Sequence, residues 1–355
     1  MMEDDAEAGR PPDEPTDERA EALAEIDEAT LPHELPRNNA LKLLVRIGFS
    51  IGFLALLIWQ LPDVTVEDLL PEPTAATFGW IAVAIVVNLG AYVLQNLRWA
   101  EVSDTLGIHL PFRRLLSHLL AGQFVSNALP TSFGGDVVRV LRQGNDAGDY
   151  ADSFAATSLE RLTGWLVLPM LSFAGLAFSP EYRSLGSVTM VILLVNVVTM
   201  AALATILLAA SNRRFARLAE RQGWRRYLGA VHLGIIAFRH RPAQAAKVLG
   251  AGLGFQFLQC LAVWACAVAL GIGEIGLLAA LTFFPPTAVV QNFPLALGGL
   301  GVREAAFVYF FGAIGVSNSS AIGLGLLVYF VFVLSSLAGA PSFVSGGFTG
   351  SAVRD

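Results

Sequence analysis

Residues 185–210 read LGSVTMVILLVNVVTMAALATILLAA, and none of these 26 residues carries a charge. An α-helix needs about 20 apolar residues to cross the ~30 Å hydrocarbon core of a bilayer, so this run is long enough. It lacks the alternation of apolar and polar residues, over about ten positions, that marks a membrane β-strand. The stretch therefore predicts a helical membrane span.

The whole chain has the same character. It is 54% hydrophobic and 15% charged, with a mean hydropathy of +0.59, which is far too apolar for a soluble domain of 355 residues. The sequence predicts an all-α polytopic membrane protein with about six full spans. These are residues 41–61, 77–97, 151–178, 186–210, 247–271 and 318–340. Three shorter apolar stretches, 115–129, 276–291 and 302–316, are too short for full crossings and predict re-entrant or broken helices.

The amino-terminal segment differs from the rest. Residues 1–36 contain 13 acidic side chains against Arg10 and Arg19, and this composition is typical of a disordered tail. We expect a membrane domain over 37–345 and a short tail over 346–355. The domain divides into halves of about 41–210 and 247–340, joined by an arginine-rich loop over 211–246.

Basic loops predict the orientation. The arginine-rich loop should face the cytoplasm, whereas residues 62–76 carry four acids and no base and should lie outside. This arrangement predicts a multi-pass protein of the cell inner (cytoplasmic) membrane with its amino terminus in the cytoplasm. It requires that 115–129 enter and leave by the same face. Within the arginine-rich loop, residues 212–228 predict an amphipathic surface helix, either an ordinary positive-inside loop or a segment that binds anionic lipid.

One short element occurs twice. Residues 127–139 read NALPTSFGGDVVR and residues 292–303 read NFPLALGGLGVR, so both fit the pattern Pro-x-x-x-Gly-Gly-x-x-x-Arg. The proline ends the preceding helix, and the paired glycines allow positive φ angles and close approach to a ligand. A helix that begins there points free N–H groups at an anion, and the arginine one turn later can bind a phosphate with two hydrogen bonds.

The second copy has the more unusual setting. Arg303 and Glu304 are the only charged residues between Glu274 and Arg354, in a stretch of 79 residues. Charged residues in such a setting suggest function by default, although an interfacial pair that reaches the headgroups is the plainer alternative. Glu160 and Arg161 are a further candidate pair, which could line a polar cavity or mark the cytoplasmic interface. The pair Arg98-Trp99 is typical of an interfacial anchor that closes a span.

The predicted topology gives the two halves opposite orientations. The span before the first copy should run inward and the span before the second copy outward, which makes an inverted repeat with the two elements on opposite sides. Inverted repeats with broken helices that meet at a central site are typical of secondary transporters.

The motifs NALPTSFGGDVVR and FPLALGGLGVRE, with Glu160-Arg161 between them, resemble the transmembrane-region family of lysylphosphatidylglycerol synthase over about residues 40–345. The resemblance implies a flippase-like membrane protein that moves, or helps to move, a polar-headed lipid. It also implies that lysyl transfer should be absent, because the chain ends at Asp355, where full-length synthases continue into a catalytic domain. The predicted substrate-binding residues are Asn127, Pro130, Gly134, Gly135, Asp136, Arg139, Glu160, Arg161, Asn292, Pro294, Gly298, Gly299, Gly301, Arg303 and Glu304.

Three functions stay open from the sequence. The first is translocation of an anionic phospholipid or polyprenyl lipid, without direct use of ATP because no Walker A motif is present. The second is a membrane glycosyl- or phospho-transferase, or its accessory subunit, that acts on a lipid-linked donor. The third is a partner that recruits a lipid-modifying enzyme. We expect no catalytic residue, metal, cofactor or nucleic acid, since neither the two cysteines nor the scattered histidines have ligand spacing.

Overall fold

The computed structural model describes residues 72–128, 134–210, 224–291 and 301–346, and this part of the chain is helical with no strand. We label its helices α1 (Ala75–Thr105), α2 (Phe112–Ala128), α3 (Gly134–Ala147), α4 (Tyr150–Phe178), α5 (Ser187–Ala210), α6 (Trp224–His240), α7 (Pro242–Ala269), α8 (Leu277–Gln291), α9 (Val302–Gly312), α10 (Asn318–Ser336) and α11 (Ala340–Gly346). Short 3₁₀ turns at Pro180–Ser184 and Leu337–Gly339 precede α5 and α11.

The predicted all-α membrane fold is confirmed. Five helices are long and apolar enough to span a bilayer: α1, α4, α5, α7 and the stretch that begins with α10. They coincide with five of the six predicted spans, and the sixth, 41–61, lies outside the described residues. The three shorter apolar stretches form α2, α8 and α9, of 17, 15 and 11 residues. At 1.5 Å per residue these helices are about 26, 23 and 17 Å long, which is short of a full crossing.

Part of the region predicted as a loop is ordered. Residues 224–240 form α6, and this helix packs against α4. Ile235 is buried, and Val231 and Phe238 pack against the same apolar cluster, so the helix has an apolar stripe at three- and four-residue spacing. The many arginines of 211–246 indicate a polar loop, so the sequence does not predict this apolar stripe. Most of the predicted surface helix, 212–228, lies outside the described residues.

The two halves repeat one order of helices. Each has a long span, a short helix, a second short helix and another long span: α1–α4 in the first half and α7–α10 in the second. In both halves the arginine of the predicted element lies in the second short helix, Arg139 in α3 and Arg303 in α9. The equivalent spans α1 and α7 pack extensively together, α4 packs against α7 and α8, and α10 packs against α1 and α2. Equivalent helices of the two halves thus make corresponding contacts with the other half, which favours a structural repeat. The inversion of this repeat across the membrane stays a prediction.

Helix α8 shows how the apolar core tolerates proline. Pro286 has no N–H, so the carbonyl of Thr282, four residues earlier, loses its helical donor. Ser172 Oγ of α4 donates to that carbonyl at 2.9 Å, and Asn196 of α5 donates to Ser172 Oγ at 2.8 Å. Gly175 of α4 allows α4 and α8 to approach this closely, because a Cβ at that position would overlap Thr282. The three helices are thereby held together by hydrogen bonds in an otherwise apolar region.

Candidate functional site

A polar cavity of 260 Å³ lies among α1, α2, α3, α4, α7, α8 and α10. Most of its polar lining residues lie on the first four helices and α7. Its apolar lining residues include Phe284 and Ala288 of α8 and Phe332 of α10. The cavity therefore presents hydrogen-bonding groups and apolar surface together.

Three charged side chains form the deepest part of this cavity. Glu160 Oε1 accepts hydrogen bonds from Arg98, including one from Nε at 2.9 Å, and Glu160 Oε2 accepts one from Arg139 Nη1 at 3.1 Å. Side-chain exposure is 3% for each arginine and 1% for the glutamate. One buried carboxylate thus bridges two arginines that come from different helices.

Two further charges lie nearer the surface. Asp136 pairs with Arg139 of α3 at 3.4 Å and also with Arg161 of α4. The side chain of Asp136 is 18% exposed and that of Arg161 is 32% exposed. Burial raises the pKa of Asp136, against the opposing effect of the two arginines. With Arg98 and Glu160, the described residues that line the cavity include three cations and two anions, a formal charge of +1 (3 − 2).

The cavity arginines have hydrogen-bond donors to spare. Among the described residues, Arg98 Nη1 and Arg139 Nε and Nη2 are buried and have no hydrogen-bond acceptor. Buried polar groups are nearly always satisfied, and an unsatisfied charged donor is costly. Three such nitrogens beside one cavity therefore indicate a place for an anion.

Small residues make room for the two guanidinium groups. A Cβ on Gly164 or Gly252 would lie 2.9 Å or 3.3 Å from Arg98 Nη1. Gly122 of α2 faces the Arg139 side chain, which also lies over the Trp99 ring at 4.3 Å. Glycine at these positions allows a large flat cation to sit between packed helices, where it also gains a cation–π contact.

Helix α3 is anchored at both ends. At its start, Gly135 crosses α2 so closely that a Cβ would overlap Ser126 Oγ and the Gly122 carbonyl. At its end, Asp146 accepts two hydrogen bonds from Arg114, at 2.6 and 2.7 Å, and one from His118 at 2.7 Å. Burial opposes ionisation of Asp146, but the bonds from Arg114 and His118 outweigh it and lower its pKa.

Helix α3 also holds the carboxyl-terminal helix. Arg142 is 2% exposed, and its Nη2 donates to the carbonyl oxygens of Ser342 and Phe343 in α11, at 3.1 and 3.5 Å. Ser342 in turn donates to the Ser117 carbonyl of α2 at 2.8 Å. These contacts, together with those of Asp146, fix the helix that carries Asp136 and Arg139.

The second copy of the repeated element has a different environment. Arg303 donates to Glu304 Oε1 from Nε at 3.2 Å and from Nη2 at 2.7 Å, and its guanidinium lies 5.3 Å from the Tyr329 ring centre. Glu304 Oε2 accepts from the backbone N–H of Gly301, which has a φ of +84° and is the N-cap residue directly before α9. Gly325 of α10 leaves space for the Glu304 carboxylate. Arg303 and Glu304 are buried, but they lie outside the set of residues that lines the cavity.

The structure thus brings together only part of the predicted site. Of the predicted residues, those that line the cavity are Asn127, Gly135, Asp136, Arg139, Glu160 and Arg161. Gly134 begins α3 beside them, and Gly301, Arg303 and Glu304 form the separate group at α9. Pro130, Asn292, Pro294, Gly298 and Gly299 lie outside the described residues. The assignment of all of these as substrate-binding residues stays a prediction.

Sequence reasoning placed Arg98 wrongly. The interfacial-anchor interpretation requires Arg98 at the end of a span, but α1 continues to Thr105 and buries both Arg98 and Trp99. A usable signal was the spacing of Asn88, Gln95 and Arg98, which places polar side chains on one helix face at intervals of seven and three residues. The amide side chains of α7 that line the cavity, Gln256 and Gln259, were missed as well.

Long apolar helices that enclose a buried charged cavity define a polytopic α-helical integral membrane protein. The chain belongs to the family described as lysylphosphatidylglycerol synthase TM region, whose model matches residues 43–339. The resemblance noted from the motifs is thereby confirmed over most of the chain. No curated protein matches it.

Proposed function

We propose that the chain binds an anionic lipid headgroup in this cavity and moves, or helps to move, that lipid across the membrane. The observation that carries the proposal is the set of three buried arginine nitrogens, on Arg98 and Arg139, that have no acceptor in the described part of the chain, in a cavity whose described lining has a formal charge of +1. Phosphate oxygens are strong acceptors for guanidinium groups and suit their fork geometry.

The lining of the cavity suits both parts of a lipid. The headgroup would contact the arginines and amides, and the acyl or prenyl chain would lie along Phe284, Ala288 and Phe332. Glu160 has a specific part in this scheme. Because it already bridges Arg98 and Arg139, it keeps both cations paired when no lipid is bound, and the incoming phosphate adds acceptors for the nitrogens that Glu160 does not reach.

Family membership supports a lipid substrate, because the family is described by the membrane region of an enzyme that makes a lipid. The positive-inside distribution supports the inner membrane as the location, with the amino terminus in the cytoplasm. We include three further points in this proposal. The chain catalyses no reaction itself, it can act with a lipid-modifying enzyme, and its two halves have opposite orientations in the membrane.

The test is lipid translocation in reconstituted vesicles. Phosphatidylglycerol with a fluorophore on its acyl chain would be added to vesicles that contain wild-type protein, Arg98→Gln/Arg139→Gln or Lys247→Gln. Lys247 is a matched control, because it is an exposed cation that pairs with Glu101 at 3.2 Å outside the cavity.

We expect the double variant to lose at least about tenfold in translocation rate, since charge-assisted hydrogen bonds contribute roughly 1.5–3 kcal/mol each. The control should match wild type. Size-exclusion profiles show whether each variant is folded. Arg139→Lys keeps the positive charge but lacks the planar guanidinium group, so it tests whether two-point binding of the phosphate matters. Equal rates for wild type and a well-folded double variant would overturn the proposal.

A further inference from the structure

We infer that the headgroup is a phosphodiester of charge −1 whose substituent is uncharged and rich in hydroxyl groups, in other words a polyol or a sugar. This inference rests on the proposed function and narrows its substrate class. It also excludes headgroups that carry an amine. Two independent observations lead to it: the charge balance of the cavity and the amide side chains that line it.

The charge balance favours one negative charge. The described lining residues contain three arginines and two carboxylates, so a single phosphodiester brings the cavity to neutrality. An ammonium group would require a free carboxylate nearby. Glu160 already holds Arg98 and Arg139, and Asp136 already holds Arg139 and Arg161. An aminoacyl or ethanolamine group would therefore place a cation beside buried arginines without a free counter-ion, and like-charge repulsion opposes this.

The amides favour hydroxyl groups. Among the residues that the structure describes, seven asparagine and glutamine side chains line the cavity. Each amide has two N–H donors and an oxygen with two lone pairs, and a hydroxyl group likewise both donates and accepts. Uncharged amides add hydrogen bonds without changing the charge balance set by the arginines and carboxylates. They are thus suited to a polar substituent that carries no charge.

The hydrogen bonds among the described residues leave many donors and acceptors of these amides unused. Gln123 Nε2 donates to Gln95 Oε1 at 2.8 Å, and Gln259 Nε2 donates to Asn88 Oδ1 at 2.9 Å, so each pair engages one group from each partner. Gln291 Oε1 is buried and has no donor within the described part of the chain. The amides lie on α1, α2, α7 and α8, around the arginines, so they would surround a substituent attached to a phosphate held there.

Three lipids with the same labelled acyl chains separate the two arguments. Phosphatidylinositol carries one negative charge and several hydroxyls, phosphatidylmethanol carries the same charge and no hydroxyl, and phosphatidylethanolamine carries an ammonium group. Equilibrium binding to the purified full chain in detergent should rank them in that order. We expect the dissociation constants of the first two lipids to differ at least about tenfold, because the inositol hydroxyls add several hydrogen bonds that phosphatidylmethanol cannot form. A further step of similar size should separate phosphatidylmethanol from phosphatidylethanolamine.

Amide variants test where the hydroxyl preference arises. Gln123→Leu/Gln256→Leu should reduce the advantage of phosphatidylinositol over phosphatidylmethanol, both measured on the same variant, to less than about threefold. Gln244→Leu is the matched control, because Gln244 lies on α7 with Gln256 but outside the cavity lining. It should retain the full advantage.

The outcomes distinguish this inference from the proposed function. Equal binding of phosphatidylinositol and phosphatidylmethanol, or an advantage that survives the double amide substitution, would overturn the hydroxyl part. Binding of phosphatidylethanolamine or lysylphosphatidylglycerol as tight as that of phosphatidylinositol would overturn the charge part, even if translocation occurs. The expected binding order without any translocation in vesicles would overturn the proposed function and leave the headgroup assignment standing.

Discussion

The two copies of the repeated element place the same arginine in opposite situations. Arg139 shares Glu160 with Arg98 from another helix, lines a cavity and retains two buried nitrogens without acceptors among the described residues. Arg303 donates twice to the adjacent Glu304, which in turn accepts from the backbone N–H of Gly301, the N-cap residue of its helix. A shared motif therefore does not establish a shared role, because the partner of the arginine decides whether it can accept a ligand.

The largest expected effect comes from removing the carboxylate that pairs with the arginine of each copy, Glu160 for Arg139 and Glu304 for Arg303. Glu160→Gln and Glu304→Gln should each lower the free energy of unfolding by roughly 3–5 kcal/mol, because each leaves a buried arginine without its counter-ion. Thermal unfolding in detergent measures both. Added anionic lipid should restore much of the stability of Glu160→Gln, since its phosphate can replace the lost carboxylate, and should not restore that of Glu304→Gln. Equal rescue of both variants would remove the distinction between the copies.

Next in size is the effect of the two arginines on lipid binding. Arg139→Ala should weaken binding of phosphatidylglycerol by about 10- to 100-fold, because it removes charge-assisted hydrogen bonds worth roughly 1.5–3 kcal/mol. Arg303→Ala should leave the affinity of the folded fraction within about twofold of wild type. Titration of monodisperse protein with the labelled lipid checks both. A larger loss for Arg303→Ala would show that the second copy holds the headgroup.

Helix crossings give a third and smaller contrast. Gly135→Ala should lower the free energy of unfolding by about 1–3 kcal/mol, because its Cβ would overlap backbone of α2 that cannot rotate away. Gly325→Ala should cost less, since the atoms it meets belong to the side chain of Glu304. Urea or thermal unfolding of the two variants gives the comparison, and a greater loss at Gly325 would contradict it.

The smallest effect concerns the anchor of α3, which supports the first copy. The pKa of Asp146 is lower in the folded protein than its ordinary value of 3.8, so its ionised form stabilises the fold. The stability difference between wild type and Asp146→Asn should be full, at about 1 kcal/mol, well above pH 3.8. It should shrink as the pH falls below that value toward the lower folded pKa. Melting temperatures across this pH range check the sign, and a difference that grows in acid would contradict it.

The spans were predictable because lipid allows few alternatives to a long apolar helix, so hydropathy determines both class and positions. The charged site was less accessible. Glu160 binds Arg98 from 62 positions away, and no local pattern encodes such a contact. The sequence predicts an interfacial anchor at Arg98 because the run of apolar residues ends there, although the helix continues to Thr105. Conversely, the isolation of Arg303 and Glu304 in the sequence drew attention to a pair whose two charges largely satisfy each other.

The hydrogen bond from Ser172 to the Thr282 carbonyl limits how the protein can change shape. That carbonyl has no helical donor because of Pro286, so separation of α4 from α8 would expose it to hydrocarbon, where an unsatisfied group costs several kcal/mol. Asn196 extends the same connection to α5. The smallest energetic cost therefore arises when these three helices move as one rigid body, and any conformational change that the proposed lipid movement requires would alter the packing of that body against its neighbours.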